Sequence, residues 1–325
     1  RDRSVSRGLG DVYKRQFKKL LIADRAVKVI KLVTADSGAF SGTYILFTVI
    51  LYAAQLYADF SGGIDICRGI AEIMGIKMAE NFKRPYFSKT LTEYWHRWHV
   101  SLGDWLRNYL FYPISISKPF LKMSKSMKKH GMKYFGKVFP TALASLITFI
   151  VIGIWHGAEA KYIAFGFWNG IVIMISSLMK PLTDKLTEKL HIKRENFFYS
   201  VFCMVRTFIV VLIGYYFDIA RGFKDAVNMI WRSVADFHIS ELASFDCLAK
   251  CKIDIFDYLI IFVGCLVIFA VSLVQEKKKD SVRKLLCEKS TVLQWILYIL
   301  MIVAIALFGY YGPGTTPADF VYMQF

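Results

Sequence analysis

The sequence has few cysteines, and none of them has the spacing of a metal site. Its 325 residues include six cysteines, with no C-x-x-C pair and no zinc-type Cys/His pattern. Cys67, Cys203 and Cys265 lie in or beside apolar segments, where we expect them to behave as small hydrophobic residues. Cys247 and Cys251 could form a disulfide, although such close spacing often gives poor geometry. We therefore predict no metal centre.

Long stretches of the chain lack charge, which excludes an ordinary soluble domain. Hydrophobic residues make up 55% of the sequence and aromatic residues 16%. They are concentrated in runs of about 20 residues, the length with which a helix crosses a hydrocarbon core of about 30 Å. The runs are residues 41–60, 138–158, 161–179, 197–219, 256–275 and 291–311. This distribution predicts an all-α polytopic membrane protein with six membrane-crossing helices in this chain.

Acidic residues are scarce relative to basic ones. The chain carries 42 Lys and Arg against 25 Asp and Glu, a formal net charge of +17. Such a charge can indicate nucleic-acid binding, but here the basic residues lie in short segments beside the apolar runs, as in cytoplasmic loops of membrane proteins. These segments are residues 118–137, 180–194 and 277–289. We therefore predict that they are cytoplasmic loops, that residues 220–255 lie outside, and that nucleic acid is not a partner.

Internal repeats and long linkers are also absent. Residues 1–16 mix charge, Ser and Gly with little apolar content, and we expect them to be a non-native or disordered leader of an N-terminally truncated chain. Residues 17–325 are predicted to form a single membrane domain. At its start, residues 17–33 alternate basic and apolar residues at helical spacing, which predicts an interfacial helix.

The segment from residue 57 to residue 113 is apolar and aromatic, yet it carries many charged side chains. These cannot face lipid, so the segment must lie along the interface, line a cavity or be shielded by other helices. Asp59 and Asp65 could be proton or cation sites, or Asp59 could cap a helix over residues 61–70. Breaks in the chain direction are expected at Gly62, Gly63, Pro85 and Pro113.

Residues 94–109 (YWHRWHVSLGDWLRNY) predict one helix with His96 and His99 near one face. An interfacial helix with a tryptophan belt would have a similar composition. His99 and Asp104 also form an H-x-x-x-x-D pattern that resembles glycerophospholipid acyltransferases. Residues five apart on a continuous helix point about 140° away from each other, so we interpret the pattern as a coincidental match and not as a His-Asp dyad.

His156 follows a nearly uncharged apolar run, LASLITFIVIGI, and one tryptophan. An ionisable side chain at membrane depth indicates a functional site unless it is used for structural hydrogen bonding. Gly153, Gly157 and Ala158 would let a substrate or another backbone approach the ring closely. Imidazole titrates near neutral pH and can accept a proton from a hydroxyl, as acyl transfer requires. His156 is therefore our first candidate for a catalytic residue.

Several motifs, taken in order, resemble the bacterial membrane-bound O-acyltransferases, including the groups that acetylate alginate and that attach D-alanine to lipoteichoic acid. They are FKKLLIADR at residues 17–25, the segment from YADFSGG to FYPIS at 57–115, GIWHGAEAKYIAFGFWNG at 153–170, and GYYGPGTTPADFVYMQF at 309–325. His99 lies in W-H-R-W-H-x-S-L and His156 in W-H-G. His96 and Asn108 depart from the residues usual in this family.

The resemblance implies a ring of transmembrane and re-entrant helices around a tunnel, in a bacterial plasma membrane. It implies that His156 is the base that deprotonates an acceptor hydroxyl, and that His99 shapes or polarises the site. Residues implied to line or support the tunnel are Trp95, Arg97, Trp98, Ser101, Trp155, Gly157 and Asn169.

The resemblance also implies the substrates. The donor would be a thioester of coenzyme A or of an acyl carrier protein, entering from the cytoplasm, and no bound cofactor is expected. The acceptor would be a cell-surface polysaccharide or a teichoic acid, reached directly or through an extracytoplasmic partner acyltransferase. We predict acetyl transfer to a polysaccharide, with D-alanyl transfer from a carrier protein to teichoic acid as the alternative.

Two other classes of protein stay open at this point. A transporter or channel could use Asp59 and Asp65, and inverted repeats, which the sequence lacks, would favour it. A haem-binding electron carrier could use His96, His99 or His156 as axial ligands, and a visible absorption spectrum would test that.

Overall fold

The computed structural model describes residues 16–243, 250–251, 254–279 and 290–311. Within these ranges the regular elements are helical, as the all-α prediction requires. Short π- or 3₁₀-helical turns lie at Phe17–Ala23, Ser37–Ala39, Pro85–Phe87 and Arg107–Phe111. The α-helices are, in chain order, α1 (Asp24–Ala35), α2 (Gly42–Ile73), α3 (Leu91–Arg97), α4 (Val100–Leu106), α5 (Tyr112–Ser115), α6 (Lys118–Lys129), α7 (Lys133–His156), α8 (Ala160–Leu178), α9 (Lys180–Lys189), α10 (Phe197–Ile219), α11 (Phe223–Ala235), α12 (Ser240–Ala243), α13 (Ile255–Lys278) and α14 (Thr291–Phe308).

Among the described residues, six helices are long and apolar enough to cross a membrane. They are α2, α7, α8, α10, α13 and α14. Each coincides with one of the six predicted apolar runs, and apart from the end of α2 their bounds differ from the predictions by a few residues. The prediction of a polytopic all-α membrane protein is therefore confirmed.

Packing divides the chain into two compact units. The first contains the described residues up to residue 79 and from residue 229 onward, and the second contains residues 80–228. The second unit holds helices α3 to α10 and all of the predicted tunnel and catalytic residues. The assignment of residues 17–325 to a single membrane domain stays a prediction.

In the first unit, α2 runs well past residue 60, where the first span was predicted to end. The helix continues through Gly62 and Gly63 to Ile73, so the predicted break at these glycines is wrong. Asp59 lies inside the helix, so it is not a helix cap either. A glycine weakens a helix by only about 1 kcal/mol relative to alanine, and both glycines are buried, so tertiary packing outweighs that preference.

A buried charged cluster lies where the start of the chain packs against α2. Lys18 Nζ is 2.8 Å from Asp65 Oδ2, and Lys19 Nζ is 2.9 Å from Asp59 Oδ1. Lys19 is also 3.0 Å from Asp24 Oδ1. Residues 17–33 are helical as predicted, but these two lysines form ion pairs inside the protein, which an interfacial helix would not require. Asp59 and Asp65, which suggested a transporter, are thus charge-balanced by lysines.

In the second unit, α7 and α8 form a hairpin in which glycines permit close packing. A Cβ atom on Gly153 would lie 2.3 Å from the carbonyl oxygen of Tyr162, and one on Gly166 would lie 2.2 Å from that of Phe149. Any side chain at either position would therefore push the two backbones apart. This close approach places His156, the last residue of α7, beside the first turns of α8.

The helix predicted over residues 94–109 is interrupted, so that prediction is wrong. Helix α3 ends at Arg97, α4 begins at Val100, and His99 between them has a left-handed backbone (φ 45°, ψ 56°). The preceding segment competes for the backbone groups that a continuous helix would use. Lys83 N donates to the Arg97 carbonyl at 2.9 Å, and Val100 N donates to the Asn81 carbonyl at 3.1 Å.

Two Lys-rich segments that were predicted to be loops contain helices. Helix α6 lies within residues 118–137 and α9 within residues 180–194. Each has a proline in its first turn, where a missing N–H donor costs nothing. Residues 280–289 and Cys247 lie outside the described residues. The side of the membrane on which each segment lies stays a prediction.

Candidate functional site

Asn81 binds the turn between α3 and α4, in which His99 lies. The Asn81 side chain is 5% exposed, and its Oδ1 accepts hydrogen bonds from Ser101 N at 2.9 Å and from Ser101 Oγ at 2.6 Å. The same oxygen lies 3.2 Å from His99 Nδ1. Ser101, predicted as a support residue, therefore binds the same amide oxygen that lies beside His99.

The His99 ring is neutral at physiological pH. Burial lowers the pKa of His99 to about 4, a backbone hydrogen bond partly offsets this, and the neighbouring His156 lowers the pKa further. Desolvation has this effect because it disfavours the charged imidazolium. The two predicted catalytic histidines are thus close enough to interact electrostatically.

His156 lies half-buried among aromatic rings. Its ring meets Trp155 and Phe165 edge-on, with centroid distances of 5.0 and 5.7 Å, and stacks on Tyr162 at 6.4 Å. The Asp218 carboxylate, at the end of α10, acts electrostatically on the ring. A nearby carboxylate stabilises the imidazolium that forms when a histidine accepts a proton. This environment suits a general base.

Trp95 and Asn169 join α3 to α8. Trp95 Nε1 donates to Asn169 Oδ1 at 3.1 Å, and Asn169 Nδ2 donates to the Phe165 carbonyl at 2.9 Å. The Trp95 ring also packs against Phe149 and Phe165, at 5.3 and 6.4 Å between centroids. Because Phe165 contacts His156 as well, one aromatic cluster connects the helix before His99 with the surroundings of His156.

Arg97 and Trp98 pack around α3 itself. Arg97 Nη2 is 2.6 Å from Glu93 Oε1, one helical turn away. Trp98 is buried, stacks on Tyr94 at 5.7 Å and meets Phe82 edge-on at 4.9 Å. These contacts anchor the segment that precedes His99.

Trp155 and Gly157 flank His156. Trp155 is 55% exposed, so much of its ring faces outward. A Cβ atom on Gly157 would lie 2.5 Å from the Tyr162 ring, so a larger residue would displace the aromatic ring that stacks on His156. The small residue predicted to let a group approach the histidine thus makes room for Tyr162.

Arg107 is the partner of both His96 and Asp104. Its Nη2 lies 2.9 Å from His96 Nδ1 and 3.2 Å from Asp104 Oδ1. The pKa of His96 is lowered by burial and, to a lesser extent, by the Arg107 charge. The aspartate of the H-x-x-x-x-D pattern, Asp104, is therefore explained by a structural ion pair with Arg107.

Sequence reasoning missed several residues that contact the two histidines or act on them, among them Asn81, Tyr162, Phe165 and Asp218. Asn81 precedes His99 by eighteen residues, and no spacing rule connects an amide to a histidine at that distance. Phe165 is one of many aromatic residues. Asp218 is a carboxylate near the end of an apolar span, which is the same signal that pointed to His156, so it could have been found.

Six membrane-crossing helices among the described residues, with two interacting histidines in one helical unit, define a polytopic membrane protein with a histidine site. The chain belongs to the MBOAT, or membrane-bound O-acyltransferase, family, whose model matches residues 22–218. That range is more than half of the chain and includes both histidines, Asn81, Asn169 and Asp218.

Curated bacterial proteins are similar to the chain. It is 32% identical over 227 residues to a probable alginate O-acetylase of Pseudomonas syringae pv. tomato, covering 69% of the chain and 38% of that protein. It is 29% identical over 172 residues to a teichoic acid D-alanyltransferase of Bacillus subtilis, covering 53% and 40%. It is 26% identical over 238 residues to a peptidoglycan O-acetyltransferase of Helicobacter pylori, covering 70% and 40%. The chain thus spans about two-fifths of the length of these relatives.

Proposed function

We propose that this chain carries the catalytic region of a bacterial plasma-membrane O-acyltransferase. In this proposal an acyl group, acetyl, moves from a cytoplasmic thioester to a hydroxyl of an extracytoplasmic polysaccharide. The thioester belongs to coenzyme A or to an acyl carrier protein, and the acceptor is reached directly or through an extracytoplasmic partner acyltransferase. The supporting observation is the aromatic cluster of Trp95 and Phe165, which connects the helix before His99 to the ring of His156 inside the region that matches the family.

His156 is the proposed general base. The acceptor hydroxyl gives its proton to His156 while its oxygen attacks the carbonyl carbon of the thioester. The tetrahedral intermediate then expels the thiolate, which takes the proton from His156, so that an ester has formed and the base is regenerated. Asp218 stabilises the imidazolium between these two steps.

His99 and the aromatic cluster hold this arrangement. His99 stays neutral at physiological pH and so adds no positive charge beside His156. The Trp95–Asn169 hydrogen bond joins α3, which precedes His99, to α8, whose residues lie around His156. Small displacements matter because catalysis depends on the reacting atoms being held close and aligned.

D-alanyl transfer from a carrier protein to teichoic acid is the second candidate. It is favoured by the similarity to the Bacillus subtilis D-alanyltransferase. Both reactions need only a thioester, a hydroxyl and a base, so the site chemistry is the same and the donor must be identified by experiment.

The decisive experiment measures transfer in membranes that contain the complete encoded protein. Labelled acetyl-CoA and a labelled D-alanyl carrier protein are supplied in parallel, and label in the polysaccharide and teichoic acid fractions is counted. His156→Ala should lower transfer by about 10²- to 10⁴-fold, the usual contribution of a general base. Retained activity in this variant, with normal insertion into membranes, would remove His156 from the proposed role.

His130→Ala is the matched control. His130 is exposed at the end of α6, where its Nδ1 lies 2.8 Å from the Ser126 carbonyl. Its loss should leave transfer and membrane insertion unchanged. A similar fall in both variants would show that the assay responds to general damage.

A further inference from the structure

Asn81 is a buried amide to which the proposed reaction assigns no step. It lies outside the helices, in the stretch between α2 and the turn at Pro85–Phe87, yet it is 5% exposed. Its backbone carbonyl accepts from Val100 N at 3.1 Å. Both its backbone and its side chain therefore bind the residues that flank His99.

The hydrogen bonds assign the orientation of the Asn81 amide. A backbone N–H can only donate, so the atom that lies 2.9 Å from Ser101 N must be the amide oxygen. This assignment matters because the oxygen and nitrogen of an amide are otherwise hard to distinguish. The oxygen is an acceptor, and it also lies 3.2 Å from His99 Nδ1.

The same argument assigns the His99 tautomer. A neutral imidazole has one N–H donor and one lone-pair nitrogen, and the hydrogen bond made by one nitrogen decides which is which. Because Nδ1 faces an amide oxygen, Nδ1 must carry the hydrogen, and Nε2 must carry the lone pair. The left-handed backbone of His99 places its Nδ1 beside the Asn81 amide. The hydrogen bond from Val100 N to the Asn81 carbonyl stabilises the turn between α3 and α4.

We propose that Asn81 is a positioning residue that holds His99 in the Nδ1–H tautomer, with Nε2 as its hydrogen-bond acceptor. This inference rests on the proposed function and specifies which hydrogen bond His99 can make in it. A neutral His99 in this tautomer offers Nε2 as an acceptor to a donor of the bound substrates other than the reacting hydroxyl, whose proton goes to His156, and it does not donate a hydrogen bond to the thioester carbonyl from Nε2. His156 is an ionisable residue that acts electrostatically on the His99 ring, and the Phe82 ring lies 6.5 Å from it between centroids.

The first test reads the tautomer directly and does not depend on activity. The purified protein is labelled with ¹⁵N-histidine, and the His99 signals are assigned by their loss in His99→Gln. Wild-type protein should show a protonated Nδ1 and an unprotonated Nε2. Asn81→Ala should shift the ring towards a mixture of tautomers, and Asn81→Asp should retain the Nδ1–H form. An Nε2–H ring in wild type, or an unchanged ring in Asn81→Ala, would overturn the proposal.

Asn81→Asp keeps the test decisive if Asn81→Ala does not fold. The carboxylate has the shape of the amide and accepts the same hydrogen bonds, and its charge favours the imidazolium. The pKa of His99 should therefore rise in Asn81→Asp, as measured from the ¹⁵N shifts against pH. Asn196→Ala, which removes the cap of α10 where Asn196 Oδ1 accepts from Phe198 N, should leave the His99 signals unchanged.

Kinetics separate the positioning role from the function itself. Asn81→Ala should lower kcat on the order of fivefold, the equivalent of one ordinary hydrogen bond, with little change in KM. Asn81→Asp should move the acid limb of the kcat profile to higher pH. Wild-type protein that is inactive with both donors would defeat the proposed function, while the tautomer measurement would still decide the role of Asn81.

Discussion

The two units of the chain handle buried polar groups in opposite ways. In the first unit, Lys18 and Lys19 form ion pairs with Asp65 and Asp59, so the charges neutralise each other inside the protein. In the second unit, His99 and His156 lie among aromatic rings and amides, and burial keeps His99 neutral.

This difference separates structural from chemical polar groups. A buried ion pair ties its two elements together, because removing one partner leaves a charge with no compensation. A neutral imidazole among aromatic rings keeps a lone pair that can accept a proton or a hydrogen bond. We expect substitutions in the first unit to act mainly on stability, and those around the histidines to act mainly on activity.

The largest effect on stability is expected from Lys19→Met. Lys19 lies between Asp24 and Asp59, whose side chains are each 1% exposed, so its loss leaves two buried carboxylates without that cation. Breaking a buried pair costs about 3–5 kcal/mol. Thermal unfolding in detergent should show a large fall in the transition temperature.

Two controls sharpen this prediction. Lys31→Met removes an exposed lysine from α1 and should change the transition temperature little. Adding Asp59→Asn to Lys19→Met removes one of the two carboxylate charges and should recover part of the lost stability. A Lys19→Met protein that is fully stable but inactive would contradict the structural role of the cluster.

A smaller effect is expected from Gly166→Ala. The new methyl group would lie 2.2 Å from the Phe149 carbonyl oxygen, so α7 and α8 must move apart. Overpacking of this kind costs about 1–3 kcal/mol. Because the hairpin positions His156, acyl transfer should fall along with the transition temperature.

Gly222→Ala is the matched control for that substitution. A Cβ atom on Gly222 would have no heavy atom within 4 Å. The variant should be as stable as wild type or slightly more stable, since alanine loses less chain entropy on folding. Equal losses in the two variants would argue against the close packing of the hairpin.

Trp95→Phe tests the link between α3 and α8. Phenylalanine keeps an aromatic ring beside Phe149 and Phe165 but removes the Nε1–H donor to Asn169. The loss of one hydrogen bond costs about 0.5–1.5 kcal/mol. We expect a measurable decrease in acyl transfer, because the bond connects the surroundings of both histidines.

Trp168→Phe provides the comparison. Trp168 Nε1 donates to the Val210 carbonyl at 2.9 Å, so this variant loses a similar indole hydrogen bond, which joins α8 to α10. It should lower stability by a similar amount and change transfer less than Trp95→Phe does. Equal effects on transfer would show that the Trp95 link has no special importance for the site.

The effect that is smallest at neutral pH, and that grows as the pH falls, concerns His99. Its pKa of about 4 lies below the value of about 6.5 for an unfolded histidine, so the unfolded chain takes up the proton first as the pH falls. His99 therefore has no effect on the pH dependence of stability above pH 6.5, and it lowers stability progressively from there towards pH 4. One proton limits the slope to about 1.4 kcal/mol per pH unit. Unfolding of wild type and His99→Gln across this range should show a shallower slope in the variant.

The membrane helices could be predicted because their signal is local. A run such as residues 197–219 contains enough apolar side chains to cross a bilayer, and it coincides with α10. The end of α2 could not be predicted in the same way. Asp59 and Asp65 look unsuitable for a continuous buried helix until Lys18 and Lys19, more than forty residues away, balance their charges.

The interruption of the helix at His99 could not be predicted from the local sequence either. Residues 94–109 have a helical pattern throughout, and the interruption comes from hydrogen bonds to the Asn81–Lys83 segment. A pattern within one segment carries no information on which distant backbone groups will compete for its donors and acceptors. For that reason the contacts of Asn81 with residues 99–101 could not be predicted from the sequence.

The sequence by itself determined the class of this protein, its six membrane-crossing helices in the described residues, and the family resemblance that singled out His99 and His156. These depend on hydropathy and on motifs, which are properties of short segments. The tertiary structure decided which groups surround each histidine: Asn81 beside His99, and Phe165, Tyr162 and Asp218 around His156. Burial and hydrogen bonding between distant segments set the charge and tautomer of a ring, and only the folded chain brings those segments together.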